Sequence, residues 1–225
     1  MNPAPHFHSA ERAQNGFLAT LERRVLLWLA HRMPRWVTSD QLTALGFVAL
    51  IGVGASYWLA RYSAIGLALV VLCLALNWFG DSLDGTLARV RNRQRPRYGF
   101  YVDHVLDACG VVFVFAGLAL SGYMSERIAV GLLIAYLLLS IEVYLATYTL
   151  QKFHLSFAAF SPTELRLLLV AGNAVVVHKP TVTLLGHHYL LFDAGGFVGI
   201  IGIGGALLWS IAKHTAHLYR AEALE

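Results

Sequence analysis

The chain has 225 residues, 57% of them apolar and only 13% charged, with a mean hydropathy of +0.60 and a net charge of +4. That balance excludes an ordinary water-soluble domain and a disordered chain, and it reads as an integral membrane protein. The arginines follow the membrane side on which they fall, so no nucleic-acid partner is expected.

Residues 1–15 are polar, with no apolar core and no small-residue cleavage pattern, so a mobile tail is expected rather than a cleavable signal peptide. From Gly16 to Trp36, residues Leu18, Leu21, Val25, Trp28 and Leu29 share one helical face and Arg23, Arg24 and His31 oppose it. Such a segment is an amphipathic interfacial helix, broken by Pro34 and interrupted on its apolar side by Arg32. Six apolar segments follow: Leu42 to Ala60, Ala64 to about Asp84, Gly99 to Leu120, Ile128 to Leu150, Pro162 to His178 and Tyr189 to Ala212. Each approaches the ~20 residues needed to span the hydrocarbon. The expected fold is therefore all-α: a single membrane domain with six transmembrane helices in residues 42–212, preceded by the interfacial helix.

With the N-terminus inside, thirteen of the seventeen Lys and Arg residues lie on one side, including the run Arg89, Arg91, Arg93, Arg95 and Arg97. The positive-inside rule places that side in the cytoplasm. Most of the run reads as topogenic and lipid-facing. Cys73 and Cys109 fall in predicted spans and read as buried thiols.

The chemistry concentrates between Asp81 and Asp107, where four carboxylates interrupt apolar sequence. Buried charges of that kind need partners. At helical spacing Asp81, Asp84, Gly85, Ala88 and Arg89 fall within about 140° of one face. Asp103 and Asp107, four apart, form a second acidic face. Two facing helices would bring the four acids together, and they remain ionised only if cations neutralise them. Hard oxygen ligands in that number suit Mg²⁺ or Mn²⁺, singly or as a pair. Gly85 and Ala88 leave a notch beside the acids, and Arg89 at its rim suits a phosphate.

The run resembles the signature of the CDP-alcohol phosphotransferase family, D-x2-D-G-x2-A-R, a spacer of seven or eight, then G-x3-D-x3-D. Asp81, Asp84, Gly85, Ala88, Arg89, Gly99, Asp103 and Asp107 fill all eight fixed positions, while the spacer, Val90 to Tyr98, holds nine residues. The extra residue falls in an expected loop. Ser39-Asp40-Gln41-Leu42-Thr43 is a weaker echo of the Pro-Asn-x-Leu-Thr found before the first membrane helix of that family.

The resemblance implies cleavage of a CDP-linked donor, release of CMP and joining of the phosphoryl unit to an acceptor hydroxyl, in a homodimer of the inner membrane whose site faces the cytosol. Asp81, Asp84, Asp103 and Asp107 would hold the divalent metal. Asp84, Gly85, Ala88, Arg89 and Gly99 would seat the donor, and Asp107 would be the base. His104 is a second candidate base, because Asp103-His104-Val105-Leu106-Asp107 is similar to the Asp-His-x-x-Asp of choline and ethanolamine phosphotransferases. This leans toward aminoalcohol-type transfer, with phosphatidyl transfer from CDP-diacylglycerol as the alternative.

Two other classes explain less. An intramembrane prenyltransferase lacks the Gly-x2-Ala-Arg continuation, and an ion or proton carrier leaves the small-residue notch without a purpose. Among the remaining polar residues of the spans, Arg166 and Glu142 are candidates to line the acceptor cavity. Glu164 beside Arg166 reads equally as a helix-end charge pair. The glycines from Gly195 to Gly205 suit close helix packing, within the chain or across a dimer.

Overall fold

A computed structural model describes residues 19–150, 162–184 and 186–222; the tail 1–15, Leu18 and Lys152 lie outside them. The elements run α1 (Ala19–Arg32), α2 (Ser39–Ala60), α3 (Ile65–Val90), α4 (Pro96–Ser121), α5 (Glu126–Leu150), α6 (Pro162–His178), β1 (Thr181–Leu184), β2 (His187–Leu190) and α7 (Leu191–Ala221). Five of them, α2, α3, α4, α5 and α7, are long and apolar enough to cross a membrane, while α6 is shorter at 17 residues. The protein is a multipass membrane protein, and its outward face agrees: Val48, Leu72, Leu145, Ile201 and Leu208 are all more than half exposed. Such a surface is stable only against lipid.

Thr38 starts α2 with a reciprocal cap: its hydroxyl accepts from the Gln41 amide at 3.3 Å, and the Gln41 side chain accepts from the Thr38 amide at 2.8 Å. Pro96 opens α4, where its missing N–H costs nothing. α2 packs against both α3 and α4, and α5 lies between α4 and α7. The α2–α4 crossing is very close: a Cβ on Gly117 would stand 2.2 Å from the carbonyl oxygen of Gly54. Only glycine permits that backbone contact. The main core, with Val53, Tyr57, Val70, Leu74 and Leu118 at its centre, fills the end of the bundle where α2 finishes and α3 begins.

Several expectations are corrected here. α1 is helical and has two apolar faces: Leu26 and Ala30 are buried against Leu42, Leu83 and Leu87, while Leu21, Val25 and Trp28 stay exposed on the face expected to lie on the membrane. The face that docks on α3 is set by the side chains it meets there. Arg32 lies over the Trp28 ring at 4.0 Å, which accounts for its place on the apolar side.

The last helix begins at Leu191 rather than Tyr189 and continues to Ala221. A two-stranded antiparallel hairpin, with Thr181 opposite Leu190 and Gly186 at φ +81° in its turn, precedes it. Among the described residues the regular structure is helical apart from this hairpin, which the β-branched Thr181-Val182-Thr183 favours.

Two arginines of the run have partners within the protein. The Arg91 guanidinium donates to the carbonyls of Met33, Pro34 and Val37, closing the α1–α2 connection, and Arg95 pairs with Asp40. Cys109 is exposed on the outer surface rather than buried, and Cys73 is half-buried with its Sγ 3.9 Å from the Ser56 hydroxyl. On α7, a Cβ at Gly196 would meet Ile128 and one at Gly199 would meet Leu132, whereas Gly195 has open space. Within the chain, therefore, the packing pair is Gly196 with Gly199 against α5.

Candidate active site

The C-terminal half of α3 and the N-terminal half of α4 each pack on the first half of α2 and face one another across a cleft. There Asp81, Asp103 and Asp107 each offer a carboxylate oxygen, and the three oxygens lie within 4.8 Å of one another. All three residues are half-buried and line a small cleft with Thr43, Gly46, Phe47, Asn77 and Leu106. Three carboxylates so close repel unless a cation or a proton joins them.

The wall behind the acids is backbone. A Cβ on Gly80 would stand 2.6 Å from the amide nitrogen of Gly46, and one on Gly46 would stand 3.3 Å from the amide nitrogen of Asp81. This contact brings Asn77 onto α2, where its Nδ2 donates to the Gly46 carbonyl at 2.9 Å. The Asn77 Oδ1 accepts from Arg166 Nε at 2.8 Å, and Arg166 Nη2 reaches Asp81 Oδ2 at 2.5 Å. From α6, Arg166 thus supplies the cluster with a positive charge, held in a fork that lysine would not reproduce.

Asp84 stands apart from the close trio. Its Oδ2 accepts from the Thr43 hydroxyl at 2.6 Å, and its Oδ1 accepts from the Gly85 amide. Beside it, Gly85 has only the Arg89 guanidinium near where a Cβ would be, at 3.6 Å, so the notch is open. Ala88 is half-buried, and Arg89 is exposed with its Nη2 on the Thr86 hydroxyl at 3.0 Å. Gly99 lies in the first turn of α4 with open space about it.

His104 is not among the residues lining the cleft. Its Nδ1 donates to the Phe100 carbonyl at 2.8 Å, which in the neutral ring leaves the lone pair on Nε2. The ring stacks on Phe100 at 4.1 Å and meets the edge of Tyr144 at 5.0 Å, with Asp103 3.5 Å from Nδ1.

Glu142 is not brought to the cluster. It turns to α7, where its Oε1 lies 2.7 Å from His214 Nδ1. Asp193 caps α5 by accepting from the Ser125 amide at 2.7 Å, and Asn173 donates to the buried Tyr57 hydroxyl at 3.1 Å. The Glu164 side chain lies outside the described residues. Thr43 and Asn77 are the site residues that motif reading passed over. Asn77 had a signal, because it stands one helical turn before Asp81.

A multipass helical bundle thus carries a carboxylate trio from two helices, with an arginine from a third on one of its acids. The chain belongs to the CDP-alcohol phosphatidyltransferase family, whose sequence model matches residues 36–209. No curated protein sequence matches it. Among solved structures it is similar to the Mycobacterium tuberculosis phosphatidylinositol phosphate synthase (PgsA1) with CDP-DAG bound. The TM-score is 0.64 at 18% identity, over 85% of this chain and 94% of that one. At that identity the likeness is one of fold.

Proposed function

We propose that this protein is a single-domain phospholipid-biosynthesis enzyme that transfers a substituted phosphoryl unit from a CDP-linked donor to an acceptor hydroxyl and releases CMP. The observation that carries the reading is the meeting of Asp81, Asp103 and Asp107 within 4.8 Å, on the two helices that bear the family motif. Hard oxygens at that separation fit Mg²⁺ or Mn²⁺, with Asp84 as the fourth carboxylate. A bound divalent ion would stabilise the charge that develops on the donor phosphates.

The protein's own residues do the rest. Gly85 and Ala88 leave room for the cytidine and its phosphates beside Arg89. Arg166 offsets the negative charge of the cleft and orients an anionic group there. The acceptor oxygen attacks phosphorus, the pyrophosphate P–O bond breaks toward CMP, and the acceptor proton passes to a base on α4. Asp107 lines the cleft and takes that role, with His104 held beside it against Phe100 and Tyr144.

The donor is read as CDP-diacylglycerol. The likeness to the phosphatidylinositol phosphate synthase supports this, as does the placement of His104 in an aromatic wall beside the cleft rather than on its lining. An aminoalcohol-type transfer would rest on His104 as the base. The cytosolic supply of the nucleotide agrees with the charge bias, which puts the site on the cytoplasmic face of the inner membrane, in an enzyme that works as a homodimer.

The experiment is CMP release by purified protein in lipid, with CDP-diacylglycerol or a CDP-aminoalcohol offered against a panel of polar alcohols and diacylglycerol. Mg²⁺- or Mn²⁺-dependent release from a CDP donor is expected. Full turnover in excess EDTA would remove the metal from the reading, and no CMP from any donor would end it.

A further inference from the structure

The acid on α1 has no place in the motif, yet one of its oxygens accepts from three side chains near the site. Glu22 Oε1 accepts from Trp78 Nε1 at 2.8 Å, from the Thr163 hydroxyl at 2.8 Å and from the Ser82 hydroxyl at 3.5 Å. The donors belong to two different helices. Trp78 and Ser82 flank Asp81 on α3, and Thr163 stands one helical turn before Arg166 on α6. Three neutral donors on one carboxylate oxygen in a half-buried position make a strong, directional joint.

We propose that Glu22 is a positioning residue: its carboxylate ties the first turn of α6 to α3 and so sets the Arg166 guanidinium on Asp81 and Asn77. The physical need is plain. α6 is the short helix of the bundle and packs on α3, so its axial position is weakly fixed by apolar contact alone. A shift of α6 along its axis would carry Arg166 off a fork whose two bonds are 2.8 and 2.5 Å long. Thr163 is held at the same end of α6 as Arg166, so the joint acts on the turn that matters. The proposal rests on the phosphoryl-transfer reading for its kinetic consequence, and its geometric half is independent of it.

The test combines kinetics with a distance. Glu22→Ala should lower kcat/KM by about 10- to 100-fold, the scale for a small misplacement of a positioning group. Glu22→Gln keeps an oxygen that accepts the same three bonds and should stay within about threefold of the parent. Thr163→Val cuts only the α6 limb of the joint and should reproduce the Glu22→Ala loss with unchanged thermal unfolding. Combined with Arg166→Ala, the Glu22→Ala change should cost nothing further, because both remove the same interaction.

Spin labels at the exposed Leu168 and Leu72 report α6 against α3 without any turnover. Their distance distribution should broaden or shift in Glu22→Ala and in Thr163→Val but not in Glu22→Gln. Additive losses, a Gln variant as impaired as the Ala variant, or an unchanged distribution would each overturn the proposal. A parent protein that releases no CMP would sink the enzyme reading alone, with the label distances still deciding the joint.

Discussion

Arg166 and Asp81 are joined across α6 and α3 by a 2.5 Å contact, so one member of the carboxylate trio meets a guanidinium from outside the motif. A divalent ion held by the trio would compete with the guanidinium for Asp81. Arg166→Gln should therefore bind Mn²⁺ more tightly, read by the loss of the free-ion paramagnetic signal. It should also lose about 10²-fold or more in kcat/KM, the scale for removing a preorganised charge. Weaker Mn²⁺ binding in the variant would show that the pair supports the cation site instead.

Thr43 holds Asp84 through a 2.6 Å hydrogen bond between α2 and α3. Thr43→Val preserves shape and removes the donor, leaving the carboxylate with one partner fewer in a half-buried place. A loss of about 1–3 kcal/mol in stability is expected, with Thr43→Ser close to the parent. Chemical denaturation in mild detergent measures it, and an unaltered Thr43→Val would show that solvent already satisfies Asp84.

For the base, the two candidates differ in what else they do. Asp107→Asn should abolish CMP release and weaken Mn²⁺ binding together, because the same carboxylate belongs to the metal trio. His104→Ala should leave Mn²⁺ binding intact and cost less than about 10²-fold in kcat, the lower bound for losing a general base. A larger kcat loss with unchanged donor affinity would move the proton transfer to His104 and favour transfer from a CDP-aminoalcohol donor.

Topology can be read without activity. Single cysteines at Gln94, in the arginine loop, and at Tyr62, in the α2–α3 turn, should react with an impermeant reagent from opposite faces of sealed vesicles, in a background lacking Cys73 and Cys109. Labelling of Gln94 from the periplasmic side would cut the site off from cytosolic nucleotide.

At the α2–α4 crossing, Gly117→Ala places a methyl 2.2 Å from a carbonyl oxygen that belongs to backbone. A destabilisation of about 1–3 kcal/mol is expected from the forced separation. Gly195→Ala, with open space around it, should leave the unfolding midpoint unchanged. Equal effects at the two positions would contradict the crossing, and a loss at Gly195 alone would point to a partner chain there.

Much of this was legible before any coordinates, and the reasons are physical. Carboxylates in apolar sequence are too costly to be incidental, so Asp81, Asp103 and Asp107 announced a site, and their helical spacing announced its geometry. Helix existence followed from hydropathy, which is a local property. What stayed hidden depends on partners distant in sequence. The docking face of α1 is decided by Leu83 and Leu87 on another helix, and the use of Arg91 by three carbonyls more than fifty residues away. Glu142 looked like Arg166 on paper, and only the fold sends one to His214 and the other to Asp81. The hairpin before α7 carried a weak local signal in its β-branched run and was outweighed by the apolar segment that follows.

The backbone contact between Gly46 and Gly80 has a consequence for how this enzyme can change. A cleft whose rear wall is two main chains in contact cannot be made deeper by exchanging side chains: a methyl at Gly80 would drive α3 off α2, and one at Gly46 would press on the Asp81 backbone. Within the small cleft, side-chain variation is then left to the other lining positions, Phe47 on α2 and Leu106 on α4. The acids and the wall behind them can thus stay fixed while the apolar edge of the cleft changes.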